Sequence, residues 1–154
     1  MFLSQKTFST VIENAPLVSL DLVVENEAEQ VLLGQRLNKP AKGSWFVPGG
    51  RVLKNESLSS AFKRLTFVEL GEAFDIQNAD LLGAYDHFYS DNVFGSNFST
   101  HYVAIGYKFR VNKILTKLPQ GVQHGGYRWC DIDSLLQDES VHSYTKNYVS
   151  NLNG

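Results

Sequence analysis

Between residues 55 and 71 the sequence holds a helical repeat with strand-like segments on both sides, and this alternation limits the possible folds more than any other feature. Leu58, Phe62 and Leu65 recur at i, i+4 and i+7, the spacing of a helix with one buried face. Asn55 or Ser57 supplies its N-terminal cap and Gly71 its stop, so the spacing predicts a helix running to Leu70. Before it, Leu17–Glu25 reads as a buried strand interrupted by one charge, Asp21. Val31–Arg36 is a second strand, Trp45-Phe46-Val47 a short third, and Pro48-Gly49-Gly50 a tight turn. After it, strands are expected at Leu81–Tyr89, His101–Val111 and Tyr127–Ile132, with loops between them. Ser4 can cap an opening helix carrying Phe8, Val11 and Ile12, and a final helix is expected from Asp133. Strands on both sides of one central helix, with helices at both ends, imply an α/β (α+β) sandwich.

The 154 residues contain no internal repeat or Pro/Ser-rich linker, so a single domain over residues 1–154 is expected. Fourteen Lys plus Arg against sixteen Asp plus Glu give a net charge of −2. That balance argues against a nucleic-acid binder, which needs a basic excess, but it allows a small anionic ligand held by a few arginines. One cysteine, Cys130, excludes an internal disulfide and a cysteine zinc cluster, and reads as a small strand residue. No apolar run approaches the roughly 18 residues of a membrane span, and the opening residues lack a signal-peptide stretch. A cytoplasmic protein without membrane partners is the expectation.

On the stripe of the central helix, the position after Leu65 is Glu69. Burying a carboxylate is costly, so this residue either bends toward solvent, pairs with Arg64, or has work to do. The preceding Val47-Pro48-Gly49-Gly50-Arg51 favours the last, because carbonyl oxygen beside carboxylate is a donor set for Mg²⁺.

Gly50-x₅-Glu56-x₇-Arg64-x₄-Glu69-x-Gly71 resembles the Nudix box, G-x₅-E-x₇-R-E-U-x-E-E-x-G-U, where U is a bulky apolar residue. The sequence departs from it at Leu65 and Val68, where most members have Glu, and at Thr66 and Glu72. These departures resemble one branch, the GDP-mannose mannosyl hydrolases. Similarity to that branch runs through Met1-Phe2-Leu3, Phe8, PLVSLD (16–21), LLG-x-R (32–36), WFVPGGRV (45–52), HFY (87–89), THYV (100–103), Gln123-His124 and YRW (127–129).

The resemblance implies a Nudix-type α/β/α sandwich with a mixed sheet. It further implies Mg²⁺-dependent hydrolysis of GDP-mannose, with GDP-glucose as a second candidate substrate. In that branch water displaces GDP from the sugar C1 with inversion, which requires a base and charge neutralisation on the leaving group. His124 is then the base, on a flexible QGVQHGG loop. The Gly49 carbonyl, Glu69 and Gln123 would hold one Mg²⁺. Arg36 and Arg51 would meet the diphosphate, with surface arginine as the plain alternative for Arg36. Phe2, Leu3 and Phe8 align with the segment that binds the base near a subunit interface, so a homodimer is implied; helix packing on the core is their rival reading. Asp21 suits a sugar hydroxyl, an arginine or a buried ion pair. His87 and Tyr102 suit sugar or base contacts, with core packing as the rival for Tyr102. Glu56 is expected to be structural, and Arg64 to orient Glu69 or Glu56. Two rival functions remain at this point: a Nudix pyrophosphohydrolase attacking phosphorus, and a non-catalytic nucleotide-sugar binder.

Overall fold

In the computed structural model the described residues are 3–112, 114–118 and 124–150, with His124 described through its backbone. Helix α1 (Gln5–Asn14) is capped by Ser4, whose side chain accepts from the Thr7 N–H. The strands are β1 (Leu17–Glu25), β2 (Gln30–Arg36), β3 (Trp45–Phe46), β4 (Gly49–Arg51), β5 (Asp80–Tyr89), β6 (Thr100–Arg110) and β7 (His124–Asp131). The central helix α2 (Leu58–Leu70) lies between β4 and β5, and α3 (Ile132–Gln137) and α4 (Ser143–Ser150) follow β7.

The strands form one mixed sheet in the order β3-β2-β1-β6-β5, with β4 paired to β1 and β7 to β2. Strand β1 runs parallel to β6 and antiparallel to β2 and β4. It is buried on both faces, which is why Leu17–Glu25 is almost continuously apolar instead of alternating. Leu20, Leu22 and Val24 pack with Phe62 and Leu65 of α2 in one core. Val23, Val31 and Leu33 pack on the opposite side with Leu135, Tyr148 and Val149 of α3 and α4. The expected α/β/α sandwich is therefore present.

Three local expectations need correction. Gly49 and Gly50 are strand residues, not a tight turn, because Leu20 and Asp21 pair directly with them. The final helix is two helices: the Asp138 carboxylate accepts from the Ser140 N–H (2.8 Å) and Oγ (2.6 Å), and this local bonding competes with helix continuation. His124 begins a strand instead of sitting in a loop. Gly125 and Gly126 suggested a loop, yet here Gly125 serves close packing, since a Cβ on it would stand 2.9 Å from Leu37 Cδ2.

Candidate active site

Strand β4 and helix α2 build the first corner of the site. The Leu22 N–H donates to the Pro48 carbonyl, and the Val52 N–H to the Val18 carbonyl. In an antiparallel ladder the bonded pairs alternate, so Asp21/Gly49 and Ser19/Arg51 fall at non-bonded positions. The Gly49 and Arg51 carbonyls consequently point away from β1. The Arg51 carbonyl accepts from Arg64 Nη2 on α2 at 2.8 Å, and a Cβ on Gly50 would stand 2.6 Å from Leu65 Cδ2. Going from Arg51 back to Gly49 thus follows α2 from Arg64 past Leu65 toward Glu69. Gly49 has no room for a side chain either: a Cβ there would meet the Leu20 carbonyl oxygen and stand 2.7 Å from Asp21 Oδ1.

Arg64 also grips Glu56, with Nε to Oε2 at 2.7 Å and Nη2 to Oε1 at 2.9 Å. Glu56 Oε1 in turn accepts from the Leu53 N–H at 3.0 Å. This bidentate pair, which holds the Glu56 carboxyl below its usual range, fastens the segment between β4 and α2. Glu56 is structural, as expected, and Arg64 orients Glu56. Glu69 is 2% exposed, and its charge, added to burial, raises the neighbouring Tyr127 phenol above its ordinary range. A buried carboxylate on the helix that packs against β4, together with backbone carbonyls that point away from β1, supplies the hard oxygen donors that suit a divalent cation. Gln123, the third expected ligand, lies outside the described residues.

On the other side of β1 lies a second polar group. Asp21 shares a face with Val23, and its Oδ2 accepts from the Tyr148 hydroxyl at 2.7 Å. Gly106, paired with Asp21 across the parallel ladder, makes room for that tyrosine: a Cβ on it would stand 2.5 Å from Tyr148 Cε1. Burial lifts the Asp21 carboxyl to about 6, opposed by the Tyr148 hydrogen bond and the Arg36 charge. His87 is 4% exposed, its Nδ1 stands 3.9 Å from Asp21 Oδ2, and it pairs across the ladder with Tyr102. Burial, reinforced by His142, pulls the His87 pKa down to about 4, so its ring is neutral at pH 7. The Tyr102 phenol is raised by burial and lowered by the charges of Arg36 and Arg51. Asp21, Arg36, His87 and Tyr102 are therefore neighbours.

Arg36 closes β2 with its guanidinium carbon 5.5 Å from the centre of the Phe46 ring, and its Nε is buried with no hydrogen bond among the described residues. Its Cα partner on β7 is His124, beyond an irregularity in register after Gly34. The base candidate and the diphosphate candidate thus start from adjacent backbone positions. Arg51 lies over the Phe8 ring at 4.7 Å, and Phe8 meets Phe94 edge-on. Phe8 therefore supports an arginine in addition to packing. Leu3 is half-buried, and Phe2 lies outside the described residues. Beside Phe94 is an open groove of about 280 Å³ flanked by Lys39 and Lys42.

Four residues packed around the Asp21–His87 pair escaped sequence reasoning: Tyr89, His142, Tyr144 and Tyr148. The spacing of Tyr144 and Tyr148 at i, i+4 puts two rings on one helix face, a signal that also describes ordinary packing. His142 stacks on Phe46 at 4.5 Å and accepts from the Tyr144 N–H at its Nδ1, so the neutral ring carries its proton on Nε2.

Comparison with known proteins agrees with this architecture. The NUDIX domain family model matches residues 15–152. The low-salt glycan biosynthesis protein Agl8 of Haloferax volcanii is 36% identical over 145 residues, covering 94% of this chain and 87% of that protein. A MutT NUDIX hydrolase from Burkholderia pseudomallei superposes with a TM-score of 0.73 at 25% identity, covering 89% of this chain and 98% of its own. The MutT protein of Methanosarcina mazei Go1 gives 0.72 at 21% identity, with 91% and 95% covered. Hydrolases of this fold generally use divalent metal ions and act on nucleotide derivatives. The chain belongs to the Nudix domain family and has the fold of a Nudix hydrolase.

Proposed function

We propose that the protein hydrolyses GDP-mannose, with GDP-glucose as a second substrate, to GDP and the free sugar by attack of water at C1 with inversion. The observation that carries this reading is the packing of α2. Leu65, where most family members have a carboxylate, is 3% exposed and lies against Gly50 in the core, while Val68 is 46% exposed. Glu69 is then the buried carboxylate of this helix, which with the Gly49 carbonyl would form a donor set for one cation rather than a cluster. The naming of the Haloferax volcanii relative for glycan biosynthesis supports a sugar nucleotide as substrate.

In this mechanism Gly49, Glu69 and Gln123 would hold one Mg²⁺, which would supply positive charge to the diphosphate when bound. Arg36 and Arg51 meet the same phosphates, where negative charge develops as GDP leaves. Phe8 holds the Arg51 guanidinium, and Phe2, Leu3 and Phe8 are assigned to the nucleotide base. Asp21, His87 and Tyr102 contact the sugar, and His124 takes the proton from the attacking water. The protein works as a cytoplasmic homodimer, which sedimentation of the full chain tests.

Hydrolysis in ¹⁸O-water decides the reaction. Label in the free sugar, with β-mannose appearing first from the α-linked substrate, is expected. Label in GMP or in mannose 1-phosphate means attack at phosphorus and overturns the proposal in favour of a pyrophosphohydrolase. Binding without turnover means a nucleotide-sugar binder.

A further inference from the structure

We propose that Tyr144, at the start of α4, is a positioning residue that fixes the plane of His87 and so makes the C-terminal helix part of sugar discrimination. Asp21 and His87 approach to 3.9 Å, too far for a direct hydrogen bond, so neither locks the other. Each is held from outside the pair. Asp21 takes the Tyr148 hydroxyl at 2.7 Å. His87 lies flat against the Tyr144 ring, with centroids 4.1 Å apart and planes 1° from parallel, and meets Tyr148 edge-on at 6.0 Å.

Tyr144 is itself held at both ends. Its hydroxyl accepts from the Phe88 N–H and donates to the Phe88 carbonyl, each at 2.9 Å, along the outer edge of the terminal strand β5. Its backbone N–H donates to His142, which a parallel bridge between Trp45 and Val141 sets in place. The His87 imidazole therefore has its orientation imposed by a ring from another element, and among the described residues no hydrogen bond occupies its nitrogens, which are left for a ligand. A carboxyl and an imidazole held apart in this way present both hydrogen-bond accepting and donating groups to one polyol. This inference rests on the proposed sugar-nucleotide reading, and its test separates the two.

The wild type, Tyr144→Phe and Tyr144→Leu are compared by kinetics with GDP-mannose, by competitive inhibition with GDP, and by NMR of the His87 ring protons. Tyr144→Leu is expected to lower kcat/KM by about 10-fold or more, the scale of a misplaced contact, while the inhibition constant of GDP stays within about twofold. Tyr144→Phe keeps the stacked ring and is expected to restore most of the rate. In the wild type the His87 ring protons are shielded by Tyr144, and this shielding disappears in Tyr144→Leu and persists in Tyr144→Phe. If Tyr144→Leu fails to fold, titrating the wild type in excess chelator, where GDP-mannose is not turned over, replaces it: GDP-mannose should shift the His87 ring protons and GDP should leave them in place. An unchanged kcat/KM in folded Tyr144→Leu, or equal losses for GDP and GDP-mannose, overturns the proposal, as do His87 protons that respond equally to both ligands. A wild type that releases no mannose refutes the sugar-nucleotide reading, whereas His87 shielding unchanged in Tyr144→Leu refutes the positioning role.

Discussion

Replacing His124 by Gln leaves Arg36, Arg51 and Glu69 in place, so kcat is expected to fall by about 10²–10⁴ while KM changes much less. The wild-type rate should decline below the pKa of an ordinary imidazole, about 6.5, and that limb should be absent from the variant. A normal kcat with the limb intact would assign the proton to another group. His87 has the opposite relation to acid. Its folded pKa, about 4, lies below the unfolded value of 6.5, so the unfolded chain binds the extra proton between these limits. Its contribution is complete above pH 6.5 and is lost as pH falls toward 4. Urea midpoints at pH 4.5 and 7 should differ less in His87→Gln than in the wild type. Glu69 and Asp21 were legible in the sequence because a charge at an apolar position is an anomaly. Tyr144 and His142 were not, since an aromatic ring in a helix or loop gives the same signal whether it packs a core or orients a neighbour.

At the level of elements, β4 depends on two glycines for different reasons. A methyl at Gly50 meets only the end of the flexible Leu65 side chain, whereas one at Gly49 meets the Leu20 backbone carbonyl, which cannot rotate aside. Gly49→Ala is therefore expected to cost about 1–3 kcal/mol, as overpacking does, and to weaken Mg²⁺ binding by moving the carbonyl edge off α2. Gly50→Ala should cost less and be largely rescued by Leu65→Ala, which thermal melts of the single and double variants can check. Similar losses for both glycines, without rescue, would contradict this account of β4. The helix between Ser57 and Gly71 was readable from its caps and stripe, and both caps are present. The strand character of Gly49–Arg51 and of His124–Gly126 was not, because local sequence reports glycine as a breaker and cannot report the strand waiting beside it. Arg64 shows the same limit: its charge was obvious, but the choice of Glu56 over Glu69 required the fold.

For the whole molecule, the sheet separates two polar regions, with Glu69 on α2 on one side of β1 and the Asp21–His87 group beneath α4 on the other. An excess of chelator should abolish turnover and Mg²⁺ should restore it, with one ion per chain by titration calorimetry. Glu69→Gln should lose both metal affinity and rate. Full activity in chelator, or two ions required per chain, would refute the single-cation site. The hydrogen bond from Tyr148 to Asp21 joins residues far apart in the chain, and this has a consequence for the order in which the protein comes into being. A chain leaving the ribosome folds from its N-terminal side, and strands β1 to β6 are all present once Arg110 has emerged. Asp21 must then wait for Tyr148 and His87 for Tyr144, so a nascent chain that already has most of its sheet still lacks the partners that hold these two residues. Synthesis of α4 is therefore the step that completes the surroundings of two polar residues placed much earlier in the chain.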